Sequence, residues 1–377
     1  MKFTKKIISL LTIIIFSILL SLLVVEVGFR VLAIPKINFS STTFSDLLYQ
    51  SWKSDQLFVP SGDRIIRMAS NVGTDNYWRS ESHGFRFNPN NITENVPLQT
   101  QKILMIGDSF TYGDGVKHDE AYPVKFENNL LNVGKNVRVD NAGVPGYGPD
   151  QEYIYLNELL RVRQYDVIVW NINLNDLWDA NASCLFRKTP FGLIRFPGWM
   201  NTHYILMSYA RSTNPVLVHS YVVNYFLAGM RGFVGKDRFT YGCSKFSPTG
   251  DEQFYDFTEK IIFFNESLKR YFQKYALPTK LVYVLTPFRG DFHAQSGSQQ
   301  RAFLNTAEDN IDRFMNDKGY AYLNASKTMV SLGAPIIDPS AEFFLDEKEF
   351  GDYSHLNATG NAVFAKLIAE WIAPILQ

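Results

Sequence analysis

The sequence predicts an α/β protein, a parallel sheet covered by helices on both faces, carried behind an apolar N-terminal helix. Two observations predict the sheet. Short apolar runs alternate with longer stretches of helical periodicity from residue 102 onward, and several of the runs stop at Gly- or Asn-containing turns, as buried strands feeding functional loops do. A third observation predicts the N-terminal helix: Lys2, Lys5 and Lys6 precede an uncharged run from Ile7 to Val25 without Gly or Pro. Its nineteen residues would extend roughly 28 Å as a helix, near the thickness of the bilayer hydrocarbon.

Taken in order, residues 1–35 read as a membrane anchor with a short flank. The basic residues before the span and Glu26 after it place the N-terminus in the cytoplasm and the body outside, periplasmic or extracellular. A cleaved signal peptide is the competing reading, but the apolar run is long for one and no Ala-x-Ala site precedes Pro35. Residues 36–101 form an irregular lead-in, in which Ser82-His83-Gly84-Phe85-Arg86 reads as an ordered turn into an extended segment packed on the main domain. That domain spans residues 102–377.

Within it, Lys102–Ile106 is a strand that stops at Gly107. A helix comes next over Tyr122–Leu131, with Pro123 tolerated in its first turn. Val137–Asp140 is the second strand, and Pro149 with Asp150 starts a helix through Val162. Asp166–Ile172 is the clearest strand of the chain. Lys280–Thr286 and Tyr320–Leu323 are two more, Glu252–Tyr275 and Arg301–Lys318 are helices, and Ala358–Ile372 closes the domain. Residues 180–250 interrupt the alternation as a mainly helical insertion rich in aromatics and Met. Its Pro215–Phe233 stretch is apolar but carries His219, Asn224 and Gly229, so a cap or a helix lying on the bilayer suits it better than a second span. Packing that merely completes the core is the plainer alternative.

Composition narrows function. Lys plus Arg and Asp plus Glu both total 37, giving zero formal charge, and no basic stripe interleaves with stacking aromatics, so a nucleic-acid partner is not expected. Aromatic residues make up 15% of the chain, more than a core alone requires, and their faces suit sugar rings and acyl chains. Cys184 and Cys243 both fall in the insertion, where an oxidising compartment would permit a disulfide; two free thiols are the alternative. No His-x-His, His-Glu-x-x-His or Cys/His cluster appears, so neither a metal site nor a cofactor is expected.

Four segments carry chemistry: Gly107-Asp108-Ser109, Asn141-Ala142-Gly143-Val144-Pro145-Gly146, Asn173-Leu174-Asn175-Asp176 and Asp352-Tyr353-Ser354-His355. Ser109 follows a strand directly, where a hydroxyl can stand at the mouth of the sheet; it can equally be a helix cap. His355, three residues after Asp352, is the base such a serine needs, with the carboxylate fixing its tautomer. A glycine N–H at Gly146 and the Asn175 amide are donors for an oxyanion, and each is also an ordinary turn residue. His118, beside Asp119 and Glu120, is the only other histidine with neighbouring carboxylates.

These segments resemble the four blocks of the SGNH (GDSL-type) hydrolase superfamily, and the phrases Gly107-Asp-Ser-Phe-Thr-Tyr-Gly and Asn141-Ala-Gly-Val-Pro-Gly-Tyr-Gly are similar to its membrane-anchored bacterial members. The resemblance covers roughly Lys102 to Leu376 without the insertion. It implies a three-layer α/β/α flavodoxin-like fold, Ser109 as nucleophile, Asp352 and His355 as its partners, and Ser109 N–H, Gly146 N–H and Asn175 as the oxyanion hole. One departure stands out: the third block usually opens with glycine, whereas this chain has Asn173, which can narrow the pocket or add a donor. The expectation is a membrane-tethered serine esterase acting on O-acyl esters, O-acetyl groups of a cell-envelope or extracellular glycan above all. An O-acyltransferase with the same triad, a lipid esterase, and a non-catalytic glycan-binding or assembly component are the alternatives. Nothing in the sequence names a protein partner.

Overall fold

The computed structural model describes residues 2–32, 58–60, 66–68, 79–92, 99–183, 185–189, 192–195, 220–223, 225, 251–287, 299–333, 343–345 and 355–376. The chain divides into two compact units, residues 1–54 with 199–239, and residues 55–198 with 240–377. Cys184, Cys243 and all of Pro215–Phe233 except residues 220–223 and 225 lie outside the described residues, as does most of the lead-in before residue 79.

In the first unit, α1 (Lys2–Val31) is a single helix whose Thr12–Val31 stretch is long and apolar enough to cross a membrane. Its apolar side chains from Ile13 to Val25 are mostly exposed. Glu26 is the exception in character. Its carboxylate accepts the Ser220 hydroxyl at 2.9 Å and the Tyr221 and Val222 N–H groups at 3.1 and 2.9 Å. Phe29 meets the Tyr221 and Tyr225 rings one turn on.

The second unit is built on a five-stranded parallel sheet of β3 (Gln101–Gly107), β4 (Val137–Gly143), β5 (Val167–Ile172), β8 (Lys280–Leu285) and β9 (Tyr322–Asn324). Its spatial order is β4-β3-β5-β8-β9, which in chain order is 2-1-3-4-5, the flavodoxin-like arrangement. The strands are buried on both faces, so they read as continuous apolar runs. Ile103, Met105, Val137, Val139, Val167, Val169, Val282 and Val284 point to one layer. There they meet α3 (Tyr122–Asn132), α8 (Ala325–Gly333) and α9 (Ala358–Ile372) through Phe126, Leu130, Met329, Phe364 and Ile368.

The opposite face is aromatic. Trp170 stacks on Phe264 of α6 (Asp251–Lys274) and on Tyr283, and its indole N–H reaches Glu152 Oε2 of α4 (Pro149–Val162) at 2.6 Å. The helix α5 (Asp176–Ser183) packs against both α4 and α6. Helix α7 (Gln299–Asp317) precedes β9. The three-layer α/β/α fold expected from the sequence is the one observed.

Three features had no counterpart in the sequence pattern. A one-turn helix, α2 (Ser109–Tyr112), follows β3 directly. Helix α8 starts immediately after β9, with no turn signal between them. The insertion opens on an antiparallel hairpin, β6 (Phe186–Thr189) with β7 (Gly192–Arg195), rather than on helix. A further small hairpin, β1 (Phe58–Pro60) with β2 (Ile66–Met68), lies in the lead-in. The segment 79–92 packs on the sheet: Arg86 N–H donates to Asn141 O at 2.9 Å along the outer edge of β4. The turn before it takes left-handed backbone at His83 and Gly84 (φ 62° and 81°).

Candidate active site

Parallel α/β sheets place functional loops beyond the carboxyl ends of their strands, at the point where the strand order reverses. Here that point lies between β3 and β5, and Ser109 and Asn173 follow those two strands within a residue or two.

The turn that carries Ser109 is tightly determined. A Cβ on Gly107 would lie 2.1 Å from Thr111 Oγ1, so only glycine lets the chain reverse this closely. The Asp108 carboxylate caps the new helix, accepting the Phe110 N–H at 2.9 Å. Gly113 ends that helix in left-handed backbone, φ 82°. The fully buried Arg86 then ties the turn down, its guanidinium donating to the carbonyls of Tyr112, Gly113 and Val116 and to His118 Nδ1. His118 is thereby a buried acceptor for Arg86 at 3.1 Å.

His355 comes from the far end of the chain. The 343–345 segment holds its backbone, with Leu345 N–H donating to His355 O at 2.9 Å, while Asn357 caps α9 just beyond. The imidazole packs against the Phe110 ring at 4.6 Å between centroids, and His355 Nε2 lies 2.7 Å from Ser109 Oγ. With the proton on Nδ1, Nε2 accepts the serine hydroxyl. Asp352, the expected orienting carboxylate, lies outside the described residues.

The other two segments converge on the same turn. Asn141 Nδ2 donates to Tyr112 O at 3.3 Å, and its Oδ1 accepts Gly143 N–H at 2.9 Å. Gly146 sits in the exposed loop beyond β4 with φ 76°. Asn173 N–H donates to Asp176 Oδ2 at 2.9 Å, which closes the turn into α5 and sets Asn175 beside the serine turn. Asn175 Nδ2 donates to Asp108 Oδ2 at 3.0 Å and to Asp179 Oδ2 at 2.9 Å.

Asp179, Glu152 and Arg86 are the residues that sequence reasoning missed. Asp179 had one usable signal, its position one helical turn after Asn175; Arg86 and Glu152 had none. Asp108, Glu152, Asp176 and Asp179 form an acidic cluster behind the serine turn. Burial pushes the Asp108 carboxyl up, against the Asn175 bond and the charge of His355. Glu152 and Asp176 are raised well above the carboxylate range, by burial first and then by neighbouring acids. Asp179 is pushed up to about 8 by burial and then by Asp108. The buried cation Lys260 is engaged elsewhere, with Asp150 at 3.1 Å and Asp256 at 2.9 Å. Among the described residues no group of His, Cys, Asp or Glu has the arrangement to hold a metal ion.

No family model matches the chain, and no curated protein matches it. Solved structures do. The acetyl xylan esterase AlAXEase is 15% identical, covering 73% of this chain and 100% of its own, with a TM-score of 0.41. Axe2, an acetylxylan esterase from Geobacillus stearothermophilus, is 13% identical over 72% of this chain and 94% of its own, with a TM-score of 0.42. LAE5, an alpha/beta hydrolase from the metagenome of Lake Arreo in Spain, is 14% identical over 71% and 94%, with a TM-score of 0.41. Similarity of this size carries no information about substrate.

Proposed function

We propose that the chain is a membrane-tethered serine esterase that cleaves O-acyl esters, with O-acetyl groups on a cell-envelope or extracellular glycan as its substrate class. The observation that carries the reading is the 2.7 Å contact between His355 Nε2 and Ser109 Oγ, which sequence separation alone would not produce. In this reading Ser109 Oγ attacks the ester carbonyl as its proton passes to His355 Nε2. The carbonyl oxygen becomes an oxyanion, held by Ser109 N–H, Gly146 N–H and the Asn175 amide. The intermediate collapses, the alcohol leaves with the proton from His355, and Ser109 is left acylated. Water, deprotonated by the same imidazole, releases the acid and restores the serine. Asp352 has the role of holding the imidazolium that forms in each half-reaction.

The tether rests on α1, and the bonds of Glu26 support a helix that is kept rather than removed. A carboxylate that binds the Ser220 hydroxyl and the Tyr221 and Val222 N–H groups serves a purpose only in a protein that retains it. The body then lies on the periplasmic or extracellular side.

The test uses the full chain in detergent, as wild type and Ser109→Ala, with a fluorophosphonate probe and p-nitrophenyl esters of increasing length. Labelling and short-chain turnover that vanish in Ser109→Ala are the expected result. Labelling without turnover would move the reading to an acyltransferase awaiting its acceptor. Absence of both, in folded protein, would sink it.

A further inference from the structure

We propose that Asp179 is a positioning residue that governs whether the Asn175 amide is free to meet an oxyanion at Ser109; this rests on the esterase reading. A primary amide has two N–H groups. In this structure both are taken, one by Asp108 Oδ2 at 3.0 Å and one by Asp179 Oδ2 at 2.9 Å. The carbonyl end of the same amide, Asn175 Oδ1, is buried and has no hydrogen-bond partner. An Asn175 that donates to a reacting carbonyl must therefore give up one of its two carboxylates.

The two are not equivalent. Asp108 is fixed from its other oxygen by the Phe110 N–H at 2.9 Å, as the cap of the serine helix. For Asp179, Asn175 is the one hydrogen-bond donor among the described residues. Its backbone cannot drift, because α5 lies so close to Gly148 that a Cβ there would stand 2.8 Å from the Asp179 carbonyl carbon. What can change at Asp179 is its charge.

The groups that face it are acids. Asp108 faces it from the serine turn, Glu152 from α4 and Asp176 from its own helix. Lys260 of α6 reaches the Ala180 carbonyl beside it but is paired with Asp150 and Asp256. Burial and Asp108 together push the carboxyl of the half-buried Asp179 up to about 8, which brings its ionisation into the neutral-to-alkaline range. A neutral carboxyl is a weak acceptor and leaves the second Asn175 N–H available. Once ionised, Asp179 recaptures the N–H in a charge-assisted bond.

The experiment measures the rate of Ser109 labelling by a fluorophosphonate from pH 6 to pH 10, in the full chain, for wild type, Asp179→Ala and Asp179→Asn. Phosphonylation develops charge on oxygen at the same place as acylation, so it reads the same donor. The wild-type rate is expected to fall as pH rises through about 8, by on the order of 100-fold as one oxyanion donor is withdrawn. Both variants, which cannot ionise at this position, are expected to lack that alkaline fall. An alkaline fall that persists in both overturns the proposal, as does a uniformly slower rate with the wild-type profile, which a merely structural role would give. Wild-type protein that is folded yet unlabelled at every pH removes the esterase reading and this proposal together. Labelling with an unchanged profile removes this proposal alone.

Discussion

Gly143→Ala isolates the close approach on which the serine turn depends. Gly143 ends β4 opposite Gly107 of β3 in the sheet register, and its backbone is not in the left-handed region. A new Cβ would introduce no backbone strain, only volume. That methyl would stand 2.2 Å from Tyr112 N, 2.6 Å from Thr111 C and 2.8 Å from Tyr112 Cα. All three are backbone atoms of α2, so no flexible side chain can yield. Ordinary contact needs about 3.4 Å or more, which requires β4 and the serine helix to part by roughly 1 Å. Overpacking of this kind costs about 1–3 kcal/mol. The loss of unfolded-chain freedom on replacing Gly by Ala returns only about 0.4–1 kcal/mol. The net expectation is a destabilisation of roughly 1–2 kcal/mol, read as a lower urea midpoint at unchanged slope. The same shift moves Ser109 relative to His355, and a displacement of that size costs on the order of 100-fold in rate. Fluorophosphonate labelling should therefore slow far more than stability alone explains. A variant with wild-type midpoint and wild-type labelling would refute the packing argument at its root.

Three other substitutions test other parts of the structure. Lys260→Met leaves Asp150 and Asp256 without their buried cation and should cost about 3–5 kcal/mol in urea unfolding, partly restored by Asp150→Asn in the same chain. Arg86→Lys keeps the charge but cannot reach three carbonyls and His118 at once; a loss of about 2–4 kcal/mol is expected, with slower Ser109 labelling. Asp179→Asn tests the sign of its linkage by thermal melting. The native state keeps the Asp179 proton up to about pH 8, whereas the unfolded chain releases it near the ordinary aspartate value of 3.8. Wild type thus loses stability as pH rises between those values, and the variant's advantage should widen across that window and level off above it. A difference that is constant from pH 4 to pH 9 would contradict the burial of that carboxyl.

The inner strands of the sheet were legible because they are mostly buried, and Val167–Ile172 and Lys280–Leu285 need no partner to read as apolar runs. The closing helix Ala358–Ile372 was legible to the residue, since Asn357 caps it and its apolar face repeats. The one-turn helix at Ser109 was not, because four residues carry no period. Its existence depends on Gly107 and Gly143 admitting backbone that sequence does not reveal. The four chemical segments were legible as residue types at recurring spacings. Their convergence was not, since it depends on contacts such as Arg86 with the Tyr112 and Val116 carbonyls, made across 26 and 30 residues. The engagement of Asn175 by two carboxylates was hidden for the same reason: spacing sets Asp179 one helical turn after Asn175, but the meeting of the two side chains depends on the fold.

The acidic cluster says what kind of site this is. Four carboxyls, Asp108, Glu152, Asp176 and Asp179, are raised by burial, and repulsion from neighbouring acids adds to it in Glu152, Asp176 and Asp179, while the neighbouring lysine is spent on other acids. Such an arrangement lowers stability at neutral pH wherever a charge remains, so a scaffold shaped by stability alone would not keep it. Its use lies in the field it makes at the other end of Asp108, where the charge of that residue couples to His355. On the esterase reading, His355 becomes a cation each time Ser109 is deprotonated, and Asp108, one residue from the nucleophile, favours that change to the extent that it is ionised. The same field works against the oxyanion, which is where the Asn175 amide is needed. A cluster that must be negative toward the histidine and yet release a donor toward the substrate is best served by shared protons. Asp179, the member joined among the described residues to Asn175 alone, is the place where one such proton does both.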